Sequence, residues 1–516
     1  MDQRGPDEFG DFQTPQALAS EVCRVIAQRG ARPAVVVEPT CGLGNFVLAV
    51  LDRFPSARCI AAEINPTHVV KLQGRLASRK DGARCLVNCQ SFFDVDWHAT
   101  FRGLPEPFLV LGNPPWVTNA QLGTLGSTNL PPKSNFQNHA GLDALTGKSN
   151  FDISEWMLIR LSEAMVGRRA WLAMLCKTAV ARKVLAYAWK KGMTLDWAEM
   201  RTINANAYFG AAVDACLFVC SISPEGRNAE CSVYPDLGAS QPSGLFGWRD
   251  AQFVANVSAY DRWKHLAGDG PYKWRSGVKH DCSKVMELRK EATGFRNGLG
   301  ELVELEEDFV YPMLKSSEVA NGHIDDPVRW MLVPQRAVGQ DTLVVRRRAP
   351  KTWAYLERHG DALDRRASSI YRNRPRFSVF GVGEYTFSPW KVAISGFYKR
   401  LKFNVIRSAY GKPIVFDDTI YFVGCQTEVE ARFVASLLNH EIANEFFSAF
   451  IFWDAKRPIT VDLLSRLNLR SLAHELGIED QWPADVDSLF ASTSSSNQPP
   501  TDVTMDGKPR RRDDGR

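Results

Sequence analysis

Short apolar runs alternate with helical stretches through the first 222 residues. The runs lie at 34–37 (AVVV), 59–64 (CIAAEI), 108–116 (FLVLGNPPW), 171–176 (WLAMLC) and 216–221 (CLFVCS). Bounded by turn residues, they read as strands, while 151–166 and 181–191 space their apolar residues along one helical face. Alternation of this kind predicts an α/β fold, a doubly wound and mostly parallel sheet. Such sheets hold their ligands at the C-terminal ends of the strands, and the polar motifs of this chain stand at those ends.

The pattern breaks in three places. Residues 117–150 (with NLPPKSNFQNHAGLDALTGKSNF inside) are rich in Asn, Gly, Ser and Lys, as in a long functional or disordered loop. At 222–250 the alternation stops in a Pro/Gly/Ser stretch, GASQPSGLFG, which predicts a linker over 223–250. From 251 to 480 strands and helices mix without βαβ regularity, predicting a second, α+β domain after a first domain over 1–222. The end, 490–516, is too polar to bury a core and is expected to be disordered. No internal repeat is visible.

Composition narrows the class. The chain has 516 residues, 45% hydrophobic and 23% charged, as a soluble multidomain protein would. It holds no uninterrupted apolar stretch of membrane-spanning length, and its polar N-terminus has no signal-peptide core. The 11 cysteines form no CxxC pair, and Cys23, Cys41 and Cys59 fall in core-like sequence. The expectation is a cytoplasmic protein without a disulfide scaffold, membrane partner or metal site. Net charge is +5, but residues 341–412 carry 16 Lys/Arg against 5 Asp/Glu, interleaved with Tyr371, Phe377, Tyr385, Trp390 and Tyr398. A phosphate-binding surface and a salt-bridged, solvated face both fit that block.

Two motifs carry candidate chemistry. In EPTCGLGNF (38–46), Gly42 and Gly44 suit a tight turn under a nucleotide-like cofactor. The motif is neither GxGxxG nor GxxxxGK[ST], so a pyrophosphate is not the obvious ligand. Glu38 at the strand end suits a cation instead. Glu63 ends the next strand, 19 residues after Gly44, where an acid takes ribose hydroxyls. A cation and a ribose together point to S-adenosylmethionine rather than NAD. The second motif is LGNPPWVTN (111–119). Pro114 and Pro115 fix the backbone, so the carbonyls of Asn113 and Pro114, with the Asn113 side chain, form an acceptor cluster for an exocyclic amine. Trp116 offers a flat face to a planar base.

The chain resembles the γ-class adenine-N6 DNA methyltransferases of bacterial restriction–modification systems. FGDFQTP (9–15) is similar to that family's N-terminal cofactor motif, and through it Thr14 is implied at the cofactor. EPTCGLGNF, with Cys41 and Phe46, resembles the main cofactor motif, AAEINP the ribose motif and NPPW the catalytic tetrapeptide. ANAYFGAAVDACLFV (205–219) resembles the motif whose aromatic, here Phe209, flanks a flipped base. The resemblance covers 1–222 well and the second half weakly, through GVKHDCSKVMEL (277–288), YPMLKS (311–316) and FSPWKVAISGFYKR (387–400).

It implies a class I, Rossmann-like methyltransferase domain followed by a target-recognition domain. The methyl donor would be S-adenosylmethionine, the substrate double-stranded DNA and the acceptor an adenine flipped into a slot between Trp116 and Phe209. The enzyme would act as a monomer on DNA, with a restriction nuclease or other defence proteins as further partners. Where the family has Asp-Phe, this sequence reads Ser91-Phe92, with Asp94 three residues on. Asp94 or another group then binds the adenine amine of the cofactor, and Phe46 and Phe92 sandwich its ring. DNA contacts are expected at Arg372, Arg374 and Arg376 in RNRPR, which reads as a loop, or at Lys133 and Lys148 in the polar insertion. Asn-Pro-Pro-aromatic also occurs in methyltransferases of protein glutamine and RNA base amines, which are shorter. A non-catalytic DNA-binding subunit is the rival of another class, and a fused nuclease would show a PD-x-[DE]xK motif, which this sequence does not contain.

Overall fold

The computed structural model describes residues 13–117, 152–455 and 457–482. They divide into two units, one ending at Asp261 and the next beginning at Arg262. Among the described residues no helix is long and apolar enough to cross a membrane.

In the first unit the strands are β1 (Val35–Glu38), β2 (Arg58–Glu63), β3 (Cys85–Cys89), β4 (Phe108–Gly112), β5 (Ala170–Lys177), β6 (Leu195–Ile203), β7 (Ala215–Ile222), β8 (Glu230–Tyr234), β9 (Gly244–Arg249) and β10 (Gln252–Val254). They form one sheet in the order β10-β9-β8-β6-β7-β5-β4-β1-β2-β3. From β3 through β5 all neighbours are parallel. β7 then runs antiparallel to both β5 and β6. The direction of winding reverses between β1 and β4, so the ends of these two strands open a crevice.

Helices cover both faces, which is why the central strands are buried along their whole length. Val36, Leu109, Leu111, Ala173, Leu175, Leu217 and Val219 join one core cluster with α1 (Gln16–Gln28) and α2 (Asn45–Arg53). On the opposite face Phe108 meets Phe101 of α4 (Trp97–Arg102) at a ring distance of 5.2 Å. Phe218 and Cys220 face Val184 and Leu185 of α6 (Thr178–Lys190), beside α5 (Ile153–Met165). α3 (Pro66–Ala77) follows β2, with Asn65 capping it through a bond from the Thr67 N–H. Leu18, Val22 and Ile26 of α1 are buried. Each contributes roughly 1.5–3 kcal/mol. That packing fixes the helix whose entry carries Gln13 and Thr14 to the crevice.

The expected doubly wound α/β class is the one found. The expected linker is not: residues within 223–250 form strands. β8 pairs parallel with β6, and β9 and β10 continue antiparallel from it. Cys231, Phe246 and Val254 are buried there, and of the Pro/Gly/Ser stretch GASQPS lies in the bend between β8 and β9 while GLFG begins β9. The first unit therefore runs past 222, to Asp261.

The second unit is α+β. One of its sheets has the order β11 (Arg275–Ser276), β20 (Ile420–Cys425), β17 (Trp390–Ser395), β18 (Asn404–Arg407). The other has the order β14 (Leu302–Val303), β13 (Gly294–Asn297), β12 (Glu287–Glu291), β16 (Arg329–Leu332), β15 (Val310–Leu314), β19 (Val415–Phe416). The first is built on β17 and β20 and is packed by α7 (Glu428–Asn439). The second is built on β12, β15 and β16.

Candidate active site

β1 ends in Glu38, and the chain turns back through Pro39–Gly44 into α2. The turn is held from three sides. The Cys41 N–H donates to the Ala62 carbonyl of β2 at 2.9 Å. The Gly42 N–H donates to Glu63 Oε2 at 2.8 Å, and the Leu43 N–H to Gln13 Oε1 at 2.9 Å. Arg75 of α3 donates to the Leu43 carbonyl and to Asn45 Oδ1. Gly42 and Gly44 both have left-handed φ, +52° and +80°. A Cβ on Gly44 would lie 2.2 Å from Leu72 Cδ1. Gly44 is thus required by the packing of α3 as well as by its own backbone.

Inside this turn lies a polar pocket lined by Gln13, Thr14, Glu38, Thr40, Cys41, Gly42, Asn45, Phe46 and Asn113. Glu38 is 2% exposed. Among the described residues its Oε2 and the Thr40 hydroxyl are buried without a hydrogen-bond partner. Burial, then the neighbouring Cys85 and Glu63, push the Glu38 carboxyl well above the usual carboxylate range, against a hydrogen bond from the Val47 N–H at the start of α2. Burial, then Glu38, Glu63 and Cys85, push the Cys41 thiol up too, leaving it a small neutral wall.

Asn113 and the NPPW turn leave the end of β4 on the other side of this pocket. The Asn113 amide donates to Thr14 Oγ1 at 3.2 Å. Trp116 is buried, and its indole N–H donates to the Leu175 carbonyl of β5 at 3.2 Å. The Lys177 ammonium donates to the Trp116 carbonyl at 2.8 Å and pairs with Asp152 at 2.6 Å. The expected slot between Trp116 and Phe209 is closed. The rings meet edge to face with centroids 5.1 Å apart. A base between two ring faces needs two contact layers of about 3.5–4 Å each.

The expected adenine end is assembled differently from its motif. Glu63 stands at the end of β2 and is buried, but its two oxygens already accept from the Gly42 and Asn65 N–H groups at 2.8 Å each. Ser91 caps the short turn Phe92–Asp94 by accepting from the Phe93 N–H. Phe46 lines the pocket. Phe92 is not paired with it across the pocket but is buried in an aromatic cluster, 4.9 Å from Trp97 and 6.2 Å from Trp156. Asp94 is exposed and is not among the pocket's lining residues. It closes the Phe92–Asp94 turn on its solvent side instead of standing at the strand end, which explains the difference.

No protein-family model matches this sequence. It is, however, 45% identical over 468 residues to the type II methyltransferase M.NspV of Nostoc sp., covering 90% of this chain and 97% of that one. The chain belongs to the type II methyltransferases of restriction–modification systems. A 114-residue stretch, 22% of the methyltransferase, is also 29% identical to 21% of the type II methyltransferase M.XamI of Xanthomonas campestris pv. amaranthicola. Among solved structures, the type IIL restriction–modification enzyme MmeI in complex with DNA aligns with a TM-score of 0.46 and 11% identity, over 93% of this chain and 76% of that one.

A DNA methyltransferase of this family takes its methyl group from S-adenosylmethionine. The donor set fits that cofactor. A buried carboxylate oxygen and hydroxyl without partners can receive a cationic, polar group, and offset the cost of burying Glu38 as an anion. Asp152 and Lys177 lie outside the sequence motifs, while Gln13 and Thr40 lie inside FGDFQTP and EPTCGLGNF without being singled out there. Lys177 alone had a usable signal, a charge at the C-terminal end of an apolar strand.

In the second unit of the methyltransferase the basic block is smaller than its count. Arg376 is held by Asp364, with nitrogen–oxygen distances of 2.9 and 3.1 Å. Arg348 pairs with Asp308 at 2.9 Å. Lys391 is buried, donates to the Ser388 carbonyl at 2.7 Å and is pushed down to about 7 by burial. Arg372 and Arg374 remain exposed in a turn, as the RNRPR sequence predicts, with Asn373 at φ +58°. Arg374 sits 5.9 Å from the Phe380 ring. Lys133 and Lys148 lie outside the described residues.

Proposed function

We propose that this methyltransferase modifies the N6 amine of one adenine within a specific double-stranded DNA site, for restriction–modification or phage defence. The observation that carries the reading is the position of Asn113-Pro114-Pro115-Trp116. It lies at the end of β4, one hydrogen bond from Thr14, on the wall of the pocket that encloses Glu38. Thr14, Glu38, Thr40, Cys41, Gly42, Gly44 and Phe46 hold the methionine end of the cofactor. Glu63 keeps lone pairs for the ribose beyond its two backbone bonds. Bound S-adenosylmethionine supplies an electrophilic methyl group.

The chain's own residues prepare the amine. The target adenine leaves the helix stack, at a cost of a few kcal/mol. Its amine donates to Asn113 Oδ1 and to the Pro114 carbonyl, which localises the lone pair on nitrogen. Pro114 and Pro115 keep those acceptors from rotating away. Trp116, anchored to Leu175, is the fixed stacking face, and Phe209, ahead of the left-handed Gly210, is the ring that gives way. The chemistry is positioning plus electrostatics. The second unit reads the site, with Arg372 and Arg374 on the phosphates. The protein works as a monomer on DNA, beside a companion nuclease or other defence protein.

The test is expression in a host without adenine methylation, followed by long-read sequencing and nucleoside mass spectrometry of the host DNA. N6-methyladenine at one sequence is expected. Methyl groups on cytosine, on protein glutamine or on RNA alone would overturn the reading.

A further inference from the structure

The catalytic turn is fastened from behind by groups that no motif contains. Trp116 is tied to β5 at its indole N–H, through the Leu175 carbonyl, and at its own carbonyl, through Lys177 Nζ at 2.8 Å. The next residue is tied as well: the Val117 carbonyl accepts from the Ile153 N–H at 2.9 Å. Asp152 joins these contacts. Its Oδ2 receives Lys177 at 2.6 Å, while its Oδ1 caps α5 by accepting from the N–H and hydroxyl of Ser154. The pair is mostly screened from water, with side-chain exposures of 25% and 10%. One ammonium therefore links the end of β5, the start of α5 and the end of the NPPW turn.

The chemistry makes this more than a generic ion pair. A carbonyl has no charge to hold a lysine, and Asp152 supplies the charge that keeps Lys177 in place. The ammonium then presents a charge-assisted donor to the Trp116 peptide, and such bonds are about twice as strong as neutral ones. Pro114 and Pro115 make the turn stiff, so a fixed Trp116 peptide also fixes the Asn113 and Pro114 acceptors three and two residues back. Small displacements there are costly: about 1 Å of misplacement can cost about 10²-fold in rate.

We infer that Lys177 and Asp152 are positioning residues for methyl transfer, acting through the Trp116 carbonyl; the inference rests on the proposed role of the NPPW turn. It predicts a fall in turnover with cofactor affinity intact, because neither residue lines the cofactor pocket.

The experiment uses the full chain and a methylated-DNA assay. Lys177→Met and Asp152→Asn should each lower kcat about 10- to 100-fold, with the S-adenosylmethionine Kd within twofold of wild type. Lys177→Arg, which keeps a cationic donor, should recover most of the loss. The double variant should fall no further than the worse single, since both act through one contact. Lys177→Met with unchanged kcat, a parallel loss of cofactor affinity, or additive losses in the double variant would each overturn the clamp. Should Lys177→Met fold poorly, Lys177→Gln provides the same comparison with a neutral donor. A wild-type enzyme that methylates cytosine would overturn the adenine assignment while leaving this comparison readable.

Discussion

The Asn113 amide nitrogen donates to the Thr14 hydroxyl oxygen at 3.2 Å, joining the end of β4 to the entry of α1 across the pocket. With the nitrogen so engaged, the other end of the amide, Oδ1, is an acceptor, the polarity a substrate amine needs. The pair explains why a segment near the N-terminus and a tetrapeptide about a hundred residues later belong to one site.

Asn113→Ala should cut methyl transfer about 10²–10³-fold, as loss of one preorganised polar group does, and leave the S-adenosylmethionine Kd nearly unchanged. Thr14→Val removes the orienting bond, which should cost about 2- to 10-fold in kcat, and also a hydroxyl of the cofactor pocket, which should raise the S-adenosylmethionine Kd. Single-turnover rates with calorimetric Kd values check both. Retention of more than a tenth of wild-type turnover in Asn113→Ala would remove Asn113 from the mechanism.

Glu38 gives a prediction in pH. Its carboxyl is held well above its ordinary value near 4.5, chiefly by burial. The folded, ligand-free protein then keeps a proton that the unfolded chain loses, so this group's contribution to stability is fully present below the unfolded pKa and lost as pH rises through the folded one. Relative to wild type, Glu38→Gln should raise the neutral-pH Tm of the ligand-free protein and flatten its decline between acid and neutral pH. It should also weaken S-adenosylmethionine about 10- to 100-fold, the scale of a lost charge-assisted contact. Calorimetric Tm across pH, with and without cofactor, separates the two effects. Equal affinity in both proteins would place the cation elsewhere.

Much of the fold was legible because the central strands are apolar on both faces. AVVV, CIAAEI and WLAMLC announce buried parallel strands, each within one or two residues of β1, β2 and β5. β3 and β6 were missed for physical reasons. β3 is the sheet edge, half exposed, and reads CLVNC. β6 carries Asp196, Glu199 and Arg201 through the sheet, and the last two are buried because Glu199 bonds to Arg29 and Arg201. The bend between β8 and β9 looked like a linker because turn residues punctuate hairpins and domain boundaries alike. At the site, strand-end acids and the NPPW turn could be read directly. The packing of Trp116 on Phe209, the burial of Phe92 and the reach of Lys177 depend on contacts distant in sequence.

Gly44 offers a stability test. Its φ is +80°, and an added Cβ would fall 2.2 Å from Leu72. Gly44→Ala combines left-handed strain with overpacking and should cost about 2–4 kcal/mol. Trimming the neighbour in Gly44→Ala/Leu72→Ala should return part of the backbone fit but not the strain. Chemical denaturation of the wild type and both variants would show it; a Gly44→Ala protein as stable as wild type would mean that the turn can shift without cost.

The second unit allows a sharper experiment than its charge total suggests. Arg372, Arg374 and Arg376 alternate in sequence, yet among the described residues only the first two are exposed without a carboxylate partner, whereas Asp364 holds Arg376 at 2.9 Å. A phosphate competing for Arg376 would first have to displace that aspartate. If the loop meets the DNA backbone, log Kd should depend on log salt with a slope near −0.9 per neutralised phosphate. Arg372→Gln/Arg374→Gln should then flatten the slope by up to about two units and weaken all sequences alike. Arg376→Gln should leave the slope where it was and act, if at all, on stability. A base-reading role for Arg374 would instead cost about 1–3 kcal/mol at one position of the site and relax the preference there. Binding isotherms at several salt concentrations, on cognate and singly altered duplexes, distinguish these results. An unchanged slope and unchanged preference in the double variant would move the DNA surface off this loop altogether.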